Sequence, residues 1–312
     1  MNQTLKKIPA ILLALLTPAA MILFLAFPAR YTSCVRDGVT LWAVCVLPAT
    51  FPFLFLTALF RRQSLYPRLL KVSSPVAGKL FRVSGAGGCA AVLSALSGYP
   101  VGAREVFDLY RSGQIQREES FRLACLCSTS GPMFLVGGVG SGILHSPTLG
   151  WIMLFSHLFS VWTVCFFLRF TGKRPSTKPA LVPPRGGDLY EHIYSSVISI
   201  LCVGGSIALF YTFAQMASDA LALVGVSGQA AAFLAGLFEM TTGCKLFSSG
   251  ANALSAGACA FFVTFGGLCV LVQQIAYLNR AGVKTLPFVG VKLLQGVLSF
   301  ALCFGLCLLL GY

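Results

Sequence analysis

Apolar segments of about membrane-spanning length recur throughout this sequence. Residues of the AVILMFWYC set make up 56% of the 312 positions and charged residues only 10%, and the mean hydropathy is +0.82. A helix needs roughly 20 apolar residues to cross the hydrocarbon core of a bilayer, whereas helices of soluble proteins are apolar on one face only. We therefore predict an all-α polytopic membrane protein with about seven spans. The predicted spans are 8–28, 39–60, 123–145, 148–170, 192–216, 252–279 and 285–312.

Two further apolar stretches, 85–103 and 226–246, are too interrupted to be ordinary spans. The first contains two glycines and a proline in its second half, and the second is broken around Glu239. We predict that both are broken or re-entrant hairpins. Between spans, residues 104–122 mix acidic and basic side chains, which is typical of a water-exposed helix, turn and helix.

The basic residues of the chain are distributed as they are in the loops of membrane proteins. Twenty-three Lys and Arg against nine Asp and Glu give a net charge of +14, and the basic residues lie between the apolar segments. Nucleic-acid binding is not expected, because the basic stretches lack the aromatic residues on which bases stack. With the N-terminus in the cytoplasm and 8–28 retained as a first span, nineteen basic residues fall inside and three outside. This bias predicts the orientation.

The predicted topology divides the chain into two similar halves. Each half runs span, hairpin, span, span, but the two enter the membrane from opposite sides, so we predict inverted-topology repeats. The repeats cover 38–170 and 189–312, and 89–104 aligns with 230–245. Residues 1–37 form an N-terminal span and connector, and 171–188 form a cytoplasmic basic linker rich in Pro and Gly. Interrupted segments at corresponding positions of two halves indicate a transporter binding site.

The candidate substrate-binding residues lie at these interruptions. A proline or glycine there frees backbone groups, which a bilayer tolerates only where they face protein or a water-filled cavity. Three hydroxyl residues before Gly131 and Pro132 interrupt a span, and the helix that restarts has a free N-terminus that favours an anion. Two amides, including Gln273, lie within a later span. The predicted substrate-binding residues are Gly98, Tyr99, Pro100, Gly102, Ser128, Thr129, Ser130, Gly131, Thr241, Thr242, Gly243 and Gln273.

Glu239 is the acidic residue well inside an apolar run. A carboxylate at such depth is costly and is by default a functional hypothesis. An ionised carboxylate would repel an anionic substrate, so we predict that Glu239 binds a coupling proton or sodium ion, or forms a hydrogen bond while protonated. A structural glutamate is the alternative.

No enzymatic, metal or cofactor site is expected. The twelve cysteines lie mostly in apolar runs, Cys125 and Cys127 lack the CxxC spacing of zinc or redox sites, and the three histidines are scattered. There is no G-x-S-x-G elbow, H-E-x-x-H motif or Walker loop. The expected partners are a small anionic substrate, a possible coupling proton or sodium ion and the lipid bilayer. The oligomeric state is left open.

Two stretches carry a family signature, SGYPVGAREVFDLYRSGQIQREESFRLACLCSTSGPMFLVGGVGSGIL (97–144) and GLFEMTTG (236–243). They resemble the YlbJ/SpoVV family of sporulation integral membrane proteins, which contains the nucleoside-recognition or Gate domain. The resemblance covers most of the chain and implies two Gate-like repeats in a fold related to concentrative nucleoside transporters. It also implies movement of dipicolinate across the outer forespore membrane. Ser128 and Thr129 stand where the family is expected to have Asn residues.

The function expected from these features is secondary transport of a small organic anion across the bacterial cell membrane, with dipicolinate as the substrate that the resemblance implies. Two alternatives remain open. One is a nucleoside or nucleobase carrier of the same fold, in which Glu239 and Gln273 would bond the ribose or base. The other is a non-transporting membrane scaffold or sensor.

Overall fold

A computed structural model describes residues 3–60, 63, 65–171, 188–248 and 250–312, and this part of the chain is helical with no strand. Three short helices of other types join the α-helices: π-helices at Trp42–Val46 and Met133–Ile143, and a 3-10 helix at Asn279–Ala281. The α-helices are α1 (Gln3–Ala26), α2 (Pro28–Leu41), α3 (Leu47–Phe60), α4 (Leu65–Leu80), α5 (Gly85–Ser97), α6 (Val101–Arg111), α7 (Arg117–Cys127), α8 (Pro147–Leu168), α9 (Leu189–Leu223), α10 (Gln229–Phe238), α11 (Met240–Leu246), α12 (Ala253–Phe265), α13 (Gly267–Leu278) and α14 (Thr285–Leu309).

Five helical segments are long and apolar enough to cross a membrane. The helices α4 and α5 form a sixth candidate, bent by 98° at the turn between them. The prediction of an all-α polytopic membrane protein is confirmed, while the count of seven spans stays a prediction. The five segments are Pro28–Phe60, Pro147–Leu168, Leu189–Leu223, Ala253–Ala281 and Thr285–Leu309.

The segment formed by α12 and α13 lies at the centre of the protein. The apolar stretch of this segment is 89% buried, whereas the corresponding stretches of α14 and α9 are 33% and 39% buried. The helix α12 packs against α14, and α14 packs against α8. On the outer surface of α8, large side chains such as Trp151, Phe155 and Trp162 are exposed. Apolar residues in such positions fit contact with lipid tails, as expected of an integral membrane protein.

Broken helices occur in the same order in both halves of the chain. In the first half α5 and α6 are separated at Gly98–Pro100, and α7 ends before the break at Ser128–Gly131; the long α8 follows. In the second half α10 and α11 are separated at Glu239, and α12 and α13 at Gly266; the long α14 follows. The repeats 38–170 and 189–312 and their inverted topology stay predictions. Apart from Thr171 and Asp188, the predicted linker 171–188 lies outside the described residues.

The prediction that 104–122 is water-exposed is wrong for its key charged side chains. The stretch does form a helix, turn and helix, α6 and α7, but Glu105, Glu119 and Arg122 are at most 5% exposed. Glu119 Oε1 accepts a hydrogen bond of 2.6 Å from the backbone N–H of Ser84, directly before α5. Arg122 donates to the backbone carbonyls of Arg82 and Thr171. These charges are used to dock α7 onto the turn between α4 and α5.

Burial shifts the ionisation of both groups that dock α7. It raises the pKa of the Glu119 carboxyl and lowers the pKa of the Arg122 guanidinium, since an apolar environment disfavours a charge.

We expect Glu119→Ala to lower the free energy of unfolding by about 1–3 kcal/mol, because the Ser84 N–H loses its buried acceptor. Glu119→Gln is the control, since it keeps an acceptor oxygen and carries no charge. Thermal unfolding of the detergent-solubilised protein measures both. Equal destabilisation by the two substitutions would contradict this role.

Candidate substrate site at the helix breaks

Four helix breaks meet inside the protein, and local sequence explains each of them. Gly98 ends α5 with φ of +79°, and Pro100, which has no N–H, precedes α6. Hydroxyl residues, Gly131 and Pro132 follow α7. Glu239 adopts an extended conformation between α10 and α11, and Gly266 ends α12 with φ of +92°. Each break removes hydrogen bonds of the helix and leaves backbone groups that need other partners.

A small cavity of about 30 Å³ lies between three of these breaks. It is close to the volume that one water molecule takes in the liquid. Several predicted site residues therefore share one place, although they are distant in sequence. The predicted residues that line it are Gly98, Tyr99, Ser130, Gly131, Gln273 and Glu239.

Other predicted residues serve the packing around this cavity. A Cβ atom at Gly102 would overlap the backbone carbonyl of Cys127, so α6 starts in close contact with the end of α7. Thr129 Oγ1 lies 3.1 Å from Ser94 Oγ. A Cβ atom at Gly243 would lie 2.6 Å from Cα of Gly236. Pro100 lines a different, larger cavity. These residues hold the breaks together and do not line the small cavity.

Glu239 caps the helix that follows it. Its carboxylate is fully buried and accepts hydrogen bonds from the backbone N–H groups of Thr241 (3.0 Å) and Thr242 (2.6 Å) and from the Thr242 hydroxyl (2.8 Å). The N-terminus of α11, which contains the predicted substrate-binding residues Thr241, Thr242 and Gly243, is thus capped by the chain's own Glu239. These hydrogen bonds satisfy backbone amides that the start of α11 would otherwise leave without a partner.

Lys292 is the main site residue that the sequence analysis did not select. It is fully buried in α14, and its Nζ donates to the backbone carbonyl of Ser128 at 2.8 Å and to the Tyr99 hydroxyl at 3.2 Å. The ammonium also lies 5.3 Å from the centre of the Tyr99 ring. The available signal was a lysine in the middle of an apolar run, which is rare and usually functional. The Ser128 hydroxyl beside it is buried and has no partner among the described residues.

A chain of buried polar groups continues from this point. His157 Nε2 accepts a hydrogen bond of 3.0 Å from the Ser130 N–H, so Nδ1 carries the proton and donates to Thr264 Oγ1 at 2.8 Å. Thr264 Oγ1 donates to Ser299 Oγ at 2.9 Å. In the sequence, Ser299 follows Lys292 by two helical turns, so both lie on the same face of α14. This spacing was the one weak signal for the chain of polar groups.

A much larger cavity of about 1520 Å³ lies next to the small one. It is lined mainly by α4, α6, α9 and α13, and Val203 and Gln273 line both cavities. Its volume exceeds that of ordinary small-molecule pockets, roughly 300–1,000 Å³. The charged residues that line it are Lys71, Arg104, Arg111, Arg280, Glu105 and Asp108.

The histidine, cysteine and acidic side chains of the described segments form no cluster of three or more that could hold a metal ion. The twelve cysteines are free thiols.

We expect Gly102→Ala to prevent correct packing of α6 against α7, because the new methyl group would overlap the Cys127 carbonyl. Gly205→Ala is the matched control, since a Cβ atom there has no neighbour within 4 Å. Size-exclusion profiles and melting temperatures in detergent distinguish the two. Normal stability of the Gly102 variant would contradict the close contact.

Comparison with known proteins identifies a relative. The chain is 30% identical over 302 residues, 84% of this chain and 74% of the relative, to the sporulation integral membrane protein YlbJ of Bacillus subtilis. No protein-family model matches the chain. No solved structure matches it either. The identity and coverage, together with the membrane-spanning helices, show that this chain is an integral membrane protein that belongs to the YlbJ family.

Proposed function

We propose that this protein is a secondary transporter of a small organic anion during spore formation, with dipicolinate as the first candidate. The observation that carries the proposal is the junction at Gln273, where a cavity large enough for such a molecule reaches the helix breaks. Transporter sites typically lie near the bilayer midplane and are formed by discontinuous helices. The relative is named a sporulation integral membrane protein, and we assign this chain to the same process.

The charges around the breaks support an anionic substrate. Four basic residues line the large cavity against two acidic ones, Glu105 and Asp108. Beyond the small cavity, Lys292 adds a buried positive charge behind Tyr99. Dipicolinate carries two carboxylates, so it would gain favourable electrostatic energy along this route.

The proposed mechanism requires the small cavity to open. At about 30 Å³ it holds roughly one water molecule and no pyridine dicarboxylate. We infer that the substrate first occupies the large cavity, and that movement of the broken segments at Gly98–Pro100 and Ser128–Gly131 then widens the space beyond Gln273. A helix break is a natural hinge, because few helical hydrogen bonds have to be broken when its two parts move.

In this proposal the inverted halves alternate access to the two sides of the membrane. The basic lining of the large cavity favours an opening to the cytoplasm under the positive-inside rule. The N-terminus would then be cytoplasmic, and the resemblance suggests the outer forespore membrane as the location.

A nucleoside carrier of the same fold is the second candidate. The Gln273 amide favours it, because an amide both donates and accepts hydrogen bonds as a base requires. Glu239 is less available to bind a nucleoside, since its two carboxyl oxygens already accept three hydrogen bonds within the chain.

The test is uptake of radiolabelled dipicolinate into proteoliposomes that contain the purified protein. We expect saturable uptake, inhibited by related pyridine dicarboxylates and not by uridine. Uptake of uridine alone would select the nucleoside carrier, and uptake of neither compound would favour a scaffold or sensor.

We further expect Gln273→Leu to raise the KM for dipicolinate about tenfold or more, because a hydrogen bond to a charged ligand is lost. The matched control is Gln274→Leu, which removes the neighbouring amide that lines neither cavity. Equal kinetic effects of the two substitutions would show that Gln273 does not contact the substrate.

A further inference from the structure

The buried ammonium of Lys292 has neutral oxygen atoms as its partners. Nζ contacts the Ser128 carbonyl and the Tyr99 hydroxyl. The ion pair found among the described residues joins Arg30 and Asp219, and within that part of the chain no carboxylate oxygen lies within 4 Å of Lys292. An unpaired charge inside a membrane protein is costly and is expected only where it has a function.

The groups that face Lys292 come from every element around it. The titratable ones are Tyr99 at the first break, Cys125 of α7, and His157 and Cys165 of α8. The helix α12 contributes backbone carbonyls through Tyr99, whose hydroxyl contacts the carbonyl oxygens of Val263 (3.1 Å) and Thr264 (3.3 Å). None of these side chains is a carboxylate, so Lys292 has no carboxylate counter-ion among the described residues.

Lys292 instead contacts the carboxyl end of α7 directly and that of α12 through the Tyr99 hydroxyl. Ser128 is the residue that ends α7, and Val263 and Thr264 belong to the last turn of α12. The carboxyl end of a helix carries a partial negative charge that attracts cations. In transporters with discontinuous helices, such ends and the unwound carbonyls coordinate the coupling cation.

We propose that Lys292 is the coupling residue of this transporter, and that its protonated side chain takes the position of a bound cation at the helix breaks. This inference rests on the proposed transport function and goes beyond it by naming the coupling group. Transport would then depend on protons and not on sodium. The charged ammonium ties α14 to the breaks at Tyr99 and Ser128, and loss of its proton releases them.

The proposed step is a simple deprotonation. An N–H bond of Lys292 breaks, its electron pair stays on nitrogen and the proton passes to solvent water that enters when the breaks open, so that the hydrogen bonds to Tyr99 and Ser128 are weakened. Lysine suits this role because it can lose its proton inside a protein, whereas arginine cannot. Glu239 is left as the cap of α11.

Hydrogen–deuterium exchange of the full-length protein in nanodiscs tests the switch without a substrate. After correction for intrinsic rates, we expect exchange at 97–101 and 128–131 to rise about tenfold as the pH is raised and Lys292 loses its proton. Lys292→Met should give fast exchange at low and at high pH, and Lys292→Arg slow exchange at both. His157→Gln is the control for the histidine that accepts from the Ser130 N–H; since it removes that acceptor, its pH response is read at 97–101, where it should be retained.

Two results would overturn the proposal. One is exchange of the wild-type segments that does not change with pH, and the other is loss of the pH response in His157→Gln but not in Lys292→Arg. If Lys292→Met does not fold, the wild-type, Lys292→Arg and His157→Gln proteins still decide the question.

Proteoliposome uptake of dipicolinate separates this inference from the proposed function. We expect wild-type uptake to respond to a proton gradient and to be unchanged when choline replaces sodium. In Lys292→Met we expect downhill movement without a response to the gradient. Sodium-dependent uptake, or a proton response that survives Lys292→Met, would refute the role of Lys292 and leave the transporter intact. Absence of any uptake would refute the transport function, and the exchange experiment would still test the switch.

Discussion

Backbone groups freed by helix breaks inside a membrane must find partners within the protein, and this requirement organises the structure. Water is absent from the bilayer core, and an unsatisfied N–H or C=O there costs several kcal/mol. Each break is completed by a side chain. Glu239 accepts from the first amides of α11, and Lys292 donates to the carbonyl that ends α7. His157 accepts from the Ser130 amide, and Tyr99 contacts the last carbonyls of α12. Hydrogen-bond acceptors, one acidic and one neutral, thus lie at helix N-termini, and a basic side chain lies at a helix C-terminus. This is the arrangement that the helix dipole favours.

The same arrangement gives the site its chemical character. The carboxyl group of Glu239 accepts hydrogen bonds from its own helix, whereas the side chain of Lys292 has no carboxylate partner among the described residues. Together with the basic lining of the large cavity, this leaves an excess of positive charge along the route to the breaks. In the proposed transporter, the four breaks, the two cavities and Lys292 would act together as one unit.

Much of this architecture could be predicted from sequence, because bilayer thickness and the chemistry of Gly and Pro act locally. The apolar runs predict the helices that cross the membrane, and Gly98, Pro100 and the hydroxyls before Pro132 predict where helices break. Partners across the fold were not predictable in the same way. The position of Lys292 in an apolar run shows that it is unusual, but not which break it meets, since that depends on how α14 packs beside α7. For the same reason the stretch 104–122 was predicted to be exposed, although Glu119 and Arg122 form buried hydrogen bonds with the backbone of the turn between α4 and α5.

An experimental structure of the protein in nanodiscs with dipicolinate bound would test the central claim, that the helix breaks form the substrate site. We expect density for the ligand beside Gln273, in contact with the broken segments Gly98–Pro100 and Ser128–Gly131 and with a cavity wider than the present 30 Å³. Density confined to the outer part of the large cavity, or to the lipid-facing surface, with the breaks unchanged, would contradict it.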